Sequence, residues 1–77
     1  MTVEKIIDHS LYPRQALADA RHAYKDYCTL KITPLDHGRA VVQIEIKPYY
    51  ATNSREIVLE FLNYTLDRAV QLQMEDG

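Results

Sequence analysis

Seventy-seven residues, 47% of them hydrophobic, with a formal net charge of −2, are enough for one small core. That apolar content is too high for a disordered chain. The slight acidity argues against a nucleic-acid binder, which uses a basic face to neutralise phosphates, and against attraction to an anionic membrane surface. Cys28 is the only cysteine, so no intramolecular disulfide can form and the chain is not a secreted disulfide scaffold. The first eight residues lack a signal-peptide apolar run, and no stretch approaches a membrane span. The expected compartment is the cytoplasm, and residues 1–77 are expected to form one domain.

Residues 2–8 predict a strand, with β-branched Val3, Ile6 and Ile7, though the imperfect alternation leaves the buried face open. Pro13 suits a first helical position, where its missing N–H costs nothing. Residues 13–27 then predict an amphipathic helix. Ala16, Leu17, Ala20, Ala23, Tyr24 and Tyr27 share an arc of roughly 120°. Cys28, Leu30 and Ile32 alternate with Thr29, Lys31 and Thr33, and Ala40, Val42, Ile44 and Ile46 alternate with Gln43, Glu45 and Lys47. Two alternating runs joined by residues 34–39, with Gly38 free to take a positive φ, predict a β-hairpin with one solvated face. Pro48 ends it, and Tyr49 to Thr52 form a connector.

Residues 53–73 predict the second helix, with Asn53 as its cap and Glu56 as the return half of a capping box. Ile57, Phe61, Leu72, Thr65, Val58, Ala69, Leu62, Leu66, Leu59 and Val70 fall on an arc of roughly 220°, about twice the width of an ordinary surface stripe. This helix is therefore expected to cover the sheet and to meet something more, either the first helix or a partner chain. Residues 74–77 are expected to fray. The order β-α-β-β-α predicts an α+β two-layer sandwich: a small antiparallel sheet with two helices on one face.

Chemistry is harder to find. His9, His22 and His37 lie in three separate elements, and Cys28 stands alone. The local ligand pairing of a zinc site is missing, and no metal is expected. Cys28 shares the phase of Leu30 and Ile32, which reads as a buried structural thiol rather than a nucleophile. No glycine loop cradles a phosphate. No catalytic residue, cofactor or enzymatic activity is expected. Six tyrosines are more informative. Tyr49 and Tyr50 stand at the hairpin's exit, where aromatics beside an open sheet edge suit peptide binding; the plainer reading is a plug for the end of the sandwich. Asn63 and Asp67, at i and i+4, share the polar strip of the last helix, which also reads as an ordinary solvated face. Arg68 falls inside the apolar arc near Phe61, placed either to snorkel outward or to meet a partner's carboxylate.

Leu11-Tyr12-Pro13, then Ala16, Ala20 and Tyr24, a hairpin, and finally Phe61-Leu62-Asn63 with Leu66-Asp67 resemble the small D protein of the His-Xaa-Ser peptide-maturation systems (HxsD). The likeness runs over roughly residues 11–71. It departs after Asp67, where Val70-Gln71 stands in place of the family's Leu-Arg pair. The resemblance implies an accessory role beside a radical SAM maturase and a small precursor peptide, and it carries over no catalytic residue. Tyr49 and Tyr50 are expected to meet the peptide, and Asn63, Asp67 and Arg68 the protein partner. A rival expectation is a self-assembling homodimer or larger homo-oligomer that binds a small ligand between chains. An RNA-binding α+β domain is disfavoured by the missing basic face.

Overall fold

The computed structural model describes residues 1–76. The chain forms β1 (Thr2–Asp8), α1 (Arg14–Ala23), β2 (Cys28–Pro34), β3 (Arg39–Ile46), a 3-10 helix (Pro48–Asn53) and α2 (Ser54–Asp76). This is the expected α+β order. The three strands make one sheet in the order β1-β3-β2, with both outer strands antiparallel to β3. β1 and β2 are therefore parallel to each other, with β3 inserted between them and α1 crossing over it, a split β-α-β unit.

β3 fixes the inner face. Ala40, Val42, Ile44 and Ile46 are all buried, as their alternation predicts. Registry then assigns the faces of the other strands. Ile7 lies opposite Ala40 and Val3 opposite Ile44; Cys28 lies opposite Ile46 and Leu30 opposite Ile44. This answers the ambiguity of β1: Val3, Lys5 and Ile7 share the inner face, and Ile6 points to the solvated face, where it is 66% exposed. On that outer face Gln43 Nε2 donates to Glu4 Oε1 across the strands at 2.7 Å.

Both helices close over the inner face, where Leu17 and Ala20 of α1 and Ile57, Val58 and Phe61 of α2 join the strand residues in one core. Phe61 is fully buried. Thr65, equally buried, lies on the same stripe, and its hydroxyl donates back to the Phe61 carbonyl oxygen at 2.8 Å, so the polar atom is satisfied within the helix. Cys28 is buried as expected, and burial raises its thiol pKa above the ordinary value. No helix among the described residues is long and apolar enough to cross a membrane.

Several boundaries differ from the expectation, each for a local reason. α1 ends at Ala23 rather than Tyr27. Tyr24 and Tyr27 stay in helical phase, but the chain must turn into β2, and the Tyr27 carbonyl instead accepts the Lys47 N–H at the end of β3 (3.0 Å). Pro13 sits one place earlier than expected, at the N-cap with an extended ψ of 148°, and Arg14 opens the helix. The hairpin turn needs positive φ at two residues, His37 (62°) and Gly38 (72°), and nothing about a histidine announces the first. The connector at 48–53 is a 3-10 helix that runs directly into α2. Asn53 therefore does not form the expected capping box; its Oδ1 accepts the Thr52 hydroxyl at 3.3 Å. Met74 and Glu75, expected in a frayed tail, continue α2, whose last residue is Asp76; Gly77 lies outside the described residues.

Truncating Phe61 to Ala is expected to lower folding stability by about 3–5 kcal/mol. Leu59→Ala on the same helix, where the side chain is 55% exposed, should stay within about 0.5 kcal/mol of the parent. Chemical denaturation of the two variants checks this assignment of faces. Gly38→Ala should cost about 1 kcal/mol through its positive φ alone, because an added Cβ there meets no atom within 4 Å.

Candidate functional site: an aromatic groove and an uncovered helix flank

The end of α1, the start of β2 and the 3-10 helix converge at one corner of the molecule. The Tyr27–Lys47 backbone bond holds this corner closed, and the Tyr50 N–H donates to the Lys47 carbonyl at 2.9 Å. These bonds gather a chain of aromatic rings. Tyr49 meets Tyr50 at 5.0 Å between ring centroids, and Tyr50 meets Tyr27 at 4.9 Å. Tyr27 lies 6.0 Å from Tyr24. Tyr24 in turn touches Phe61 (5.8 Å) and Tyr64 (5.7 Å), both edge-on. The chain thus grades from the solvent, where Tyr49 is 88% exposed, to the core at Phe61. Edge-to-face contacts of this kind align the positive rim of one ring with the negative face of the next.

A groove of about 460 Å³ opens along this ladder, between α1 and the N-terminal half of α2. Tyr24, Tyr27, Tyr50 and Tyr64 wall it, and Glu56 and Glu60 stand on its α2 side. Burial raises the Tyr24 pKa above its ordinary value, and the negative charge of Glu60 acts in the same direction.

Sequence reasoning singled out Tyr49 and Tyr50 and placed Tyr24 and Tyr27 in the core stripe of α1. The structure brings all four together at the groove corner. Tyr24 is half-buried there, and Tyr27 is 39% exposed beyond the end of the helix. Glu56, Glu60 and Tyr64 were missed as site residues. They recur at 56, 60 and 64, one helical face at i, i+4 and i+8, and that spacing was the available signal.

The other flank of α2 explains its wide apolar arc. Ile57, Val58, Phe61, Thr65 and Ala69 occupy the covered half. Leu59 and Val70 remain 55% exposed and Leu66 36% exposed, on the flank turned away from α1. β1 and the turn that follows it border this flank. Met1, Val3 and Lys5 line one shallow groove with Leu59, and Leu11 and Pro13 line another with Leu66 and Val70. Asn63 and Asp67 are exposed beside the stripe.

Arg68 behaves differently from the other two expected interface residues. Its Nε donates to Asp19 Oδ2 of α1 at 2.7 Å, and its Nη1 reaches Gln71 Oε1 (3.1 Å) and Glu75 Oε1 (3.6 Å). The guanidinium therefore clasps the two helices of its own chain, and the carboxylate it meets is internal. That bond, followed by one from Gln15, holds the Asp19 carboxyl below the ordinary aspartate range.

Among the described residues, no group of three or more His, Cys, Asp and Glu side chains is disposed to hold a metal ion. His9 Nδ1 lies 3.0 Å from the Tyr12 carbonyl oxygen, a local contact in the turn after β1.

A carboxylate depressed in the folded state stabilises fully above its unfolded value, near 3.8 here, and that contribution is lost as pH falls from there through the folded value. Arg68→Met should therefore lower stability at neutral pH and lose its difference from the parent in strong acid. Urea midpoints of the two proteins between pH 7 and pH 2 test this; a gap that does not change with pH would assign the effect of Arg68 to packing alone. Against this geometry, comparison with protein-family models, curated proteins and solved structures gives no match to the chain.

Proposed function

We propose that this protein is a non-catalytic adaptor that holds a peptide and docks it on a larger protein. The uncovered apolar flank of α2 carries the reading. A helix with Leu59, Leu66 and Val70 open to solvent, beside a buried stripe that already closes its own core, has more apolar surface than its fold uses. Asn63 and Asp67 border the flank and would supply polar contacts at its rim. Arg68, held by Asp19, would act there through the position of α2 rather than by direct pairing.

The peptide would lie along β2. That strand is an edge of the sheet: among the described residues, one side of its backbone has no neighbouring strand. Cys28, at its start, immediately follows the tyrosine corner. An added strand would thus run past Tyr49 and Tyr50. The likeness to the D proteins of the His-Xaa-Ser systems names the two partners in this proposal, a radical SAM maturase and its precursor peptide. Holding both at once would raise the effective concentration of peptide at the enzyme.

The same flank favours a second reading. An antiparallel pair of α2 helices would bury Leu59, Leu66 and Val70 against their symmetry mates, with Asn63 at the rim of that contact. The protein would then be a homodimer, with room for a small ligand between chains.

Coexpression with a maturase and precursor of this type, followed by affinity capture, tests the adaptor. Leu66→Asp with Val70→Asp should remove the enzyme but keep the peptide. Tyr49→Ala with Tyr50→Ala should do the reverse. Full retention of both partners by both folded variants would overturn the proposal. Sedimentation of the parent as a dimer that Asn63→Lys dissociates would favour the second reading.

A further inference from the structure

We propose that the groove walled by Tyr24, Tyr27, Tyr50 and Tyr64 and edged by Glu56 and Glu60 is a binding site for an organic cation, an alkylammonium or guanidinium group. The shape and the charge lead to the same ligand. Aromatic faces carry negative potential and attract a cation that lies within about 6 Å of a ring centroid. Here the four rings belong to one contiguous ladder with neighbouring centroids 4.9–6.0 Å apart, so a single small cation can lie within reach of more than one. The volume of about 460 Å³ lies within the range of small-ligand sites.

The carboxylates make the site selective for positive charge. No lysine or arginine is among the described residues lining the groove. The ion pairs among the described residues involve neither Glu56 nor Glu60. Both groups therefore leave their charge uncompensated beside the rings, at i and i+4 on one face of α2. The neighbouring grooves differ. The one against β1 contains Lys5 and Arg55, and the one below Tyr64 contains the Asp19–Arg68 pair, already neutralised.

The cation has two sources, a free small molecule or the side chain of a peptide lysine or arginine. The site does not depend on the adaptor reading, because a protein that docks on no enzyme would still take the cation. The test is a two-dimensional NMR titration of the whole isotope-labelled chain at low ionic strength. The probes are tetramethylammonium, methylguanidinium, and short peptides bearing one lysine or one arginine, with their acetyl-lysine and citrulline counterparts as uncharged controls.

Saturable shifts confined to the groove residues are expected, with binding at least about tenfold weaker for the uncharged controls. Glu56→Gln with Glu60→Gln, at surface positions that leave the core untouched, should weaken cation binding by about tenfold and flatten its salt dependence. Saturation by the free cations alone assigns the site to a small molecule, and tighter binding of the charged peptides assigns it to a side chain. Equal binding of charged and uncharged probes, shifts outside the groove, or no saturation by any cation below about 10 mM would overturn the proposal.

Discussion

The fold depends on one packing contact, the buried stripe of α2 against the alternating inner face of β3. Ile57, Val58 and Phe61 of α2 share one core with Val42, Ile44 and Ile46 of β3, and Leu17 and Ala20 of α1 complete it. The strand is central, so its registry positions both edge strands, and the helix is long, so it positions everything along its flanks. At 23 residues α2 spans about 34 Å, while strands of seven or eight residues span about 23–27 Å. A helix longer than its sheet cannot bury all it carries. Leu59, Leu66 and Val70 are uncovered for a different reason: they stand level with buried Val58, Thr65 and Ala69 but on the flank of the helix.

The two flanks of α2 then acquire different characters. Toward α1 the contacts are aromatic and polar: Tyr64 on Tyr24, and Arg68 clasped to Asp19. Glu56 and Glu60 continue this side upward into the groove. Toward β1 the flank is apolar and open. A small two-layer domain has few surfaces to offer, and this one divides them by chemistry: an acidic aromatic groove, an apolar flank and a free β2 edge adjoining the tyrosine corner. A chain that binds two partners together needs such a separation, since each partner then recognises a surface the other does not compete for.

Much of this architecture is legible in the residues. The alternation of Ala40, Val42, Ile44 and Ile46 identifies the central strand's inner face, and the wide arc of the last helix announces a surface beyond the core. Periodicity fails where two signals coincide. Tyr24 and Tyr27 keep helical phase, so nothing local shows that the helix stops at Ala23; the cause is a backbone bond to Lys47, twenty residues away in sequence. The partner that Arg68 finds within the chain is hidden for a similar reason. The place of Arg68 in the apolar arc is evident, but its partner Asp19 lies on another helix, and only the crossing of α1 and α2 brings the charges together. The groove was half visible: the tyrosines stood out by number, while Glu56 read as half of a capping box and Glu60 as part of the polar strip until the other helix gave them a wall to face.

The most direct test of the central claim, that α2 carries two apolar faces of which the fold uses one, is solvent paramagnetic relaxation of methyl groups in dilute monomeric protein. Methyls of Leu59, Leu66 and Val70 should relax strongly with a soluble paramagnetic agent, while those of Ile57, Val58 and Ile44 should be protected. Equal protection of both sets would mean that the chain covers the flank itself, and the account of an unused second face would be wrong.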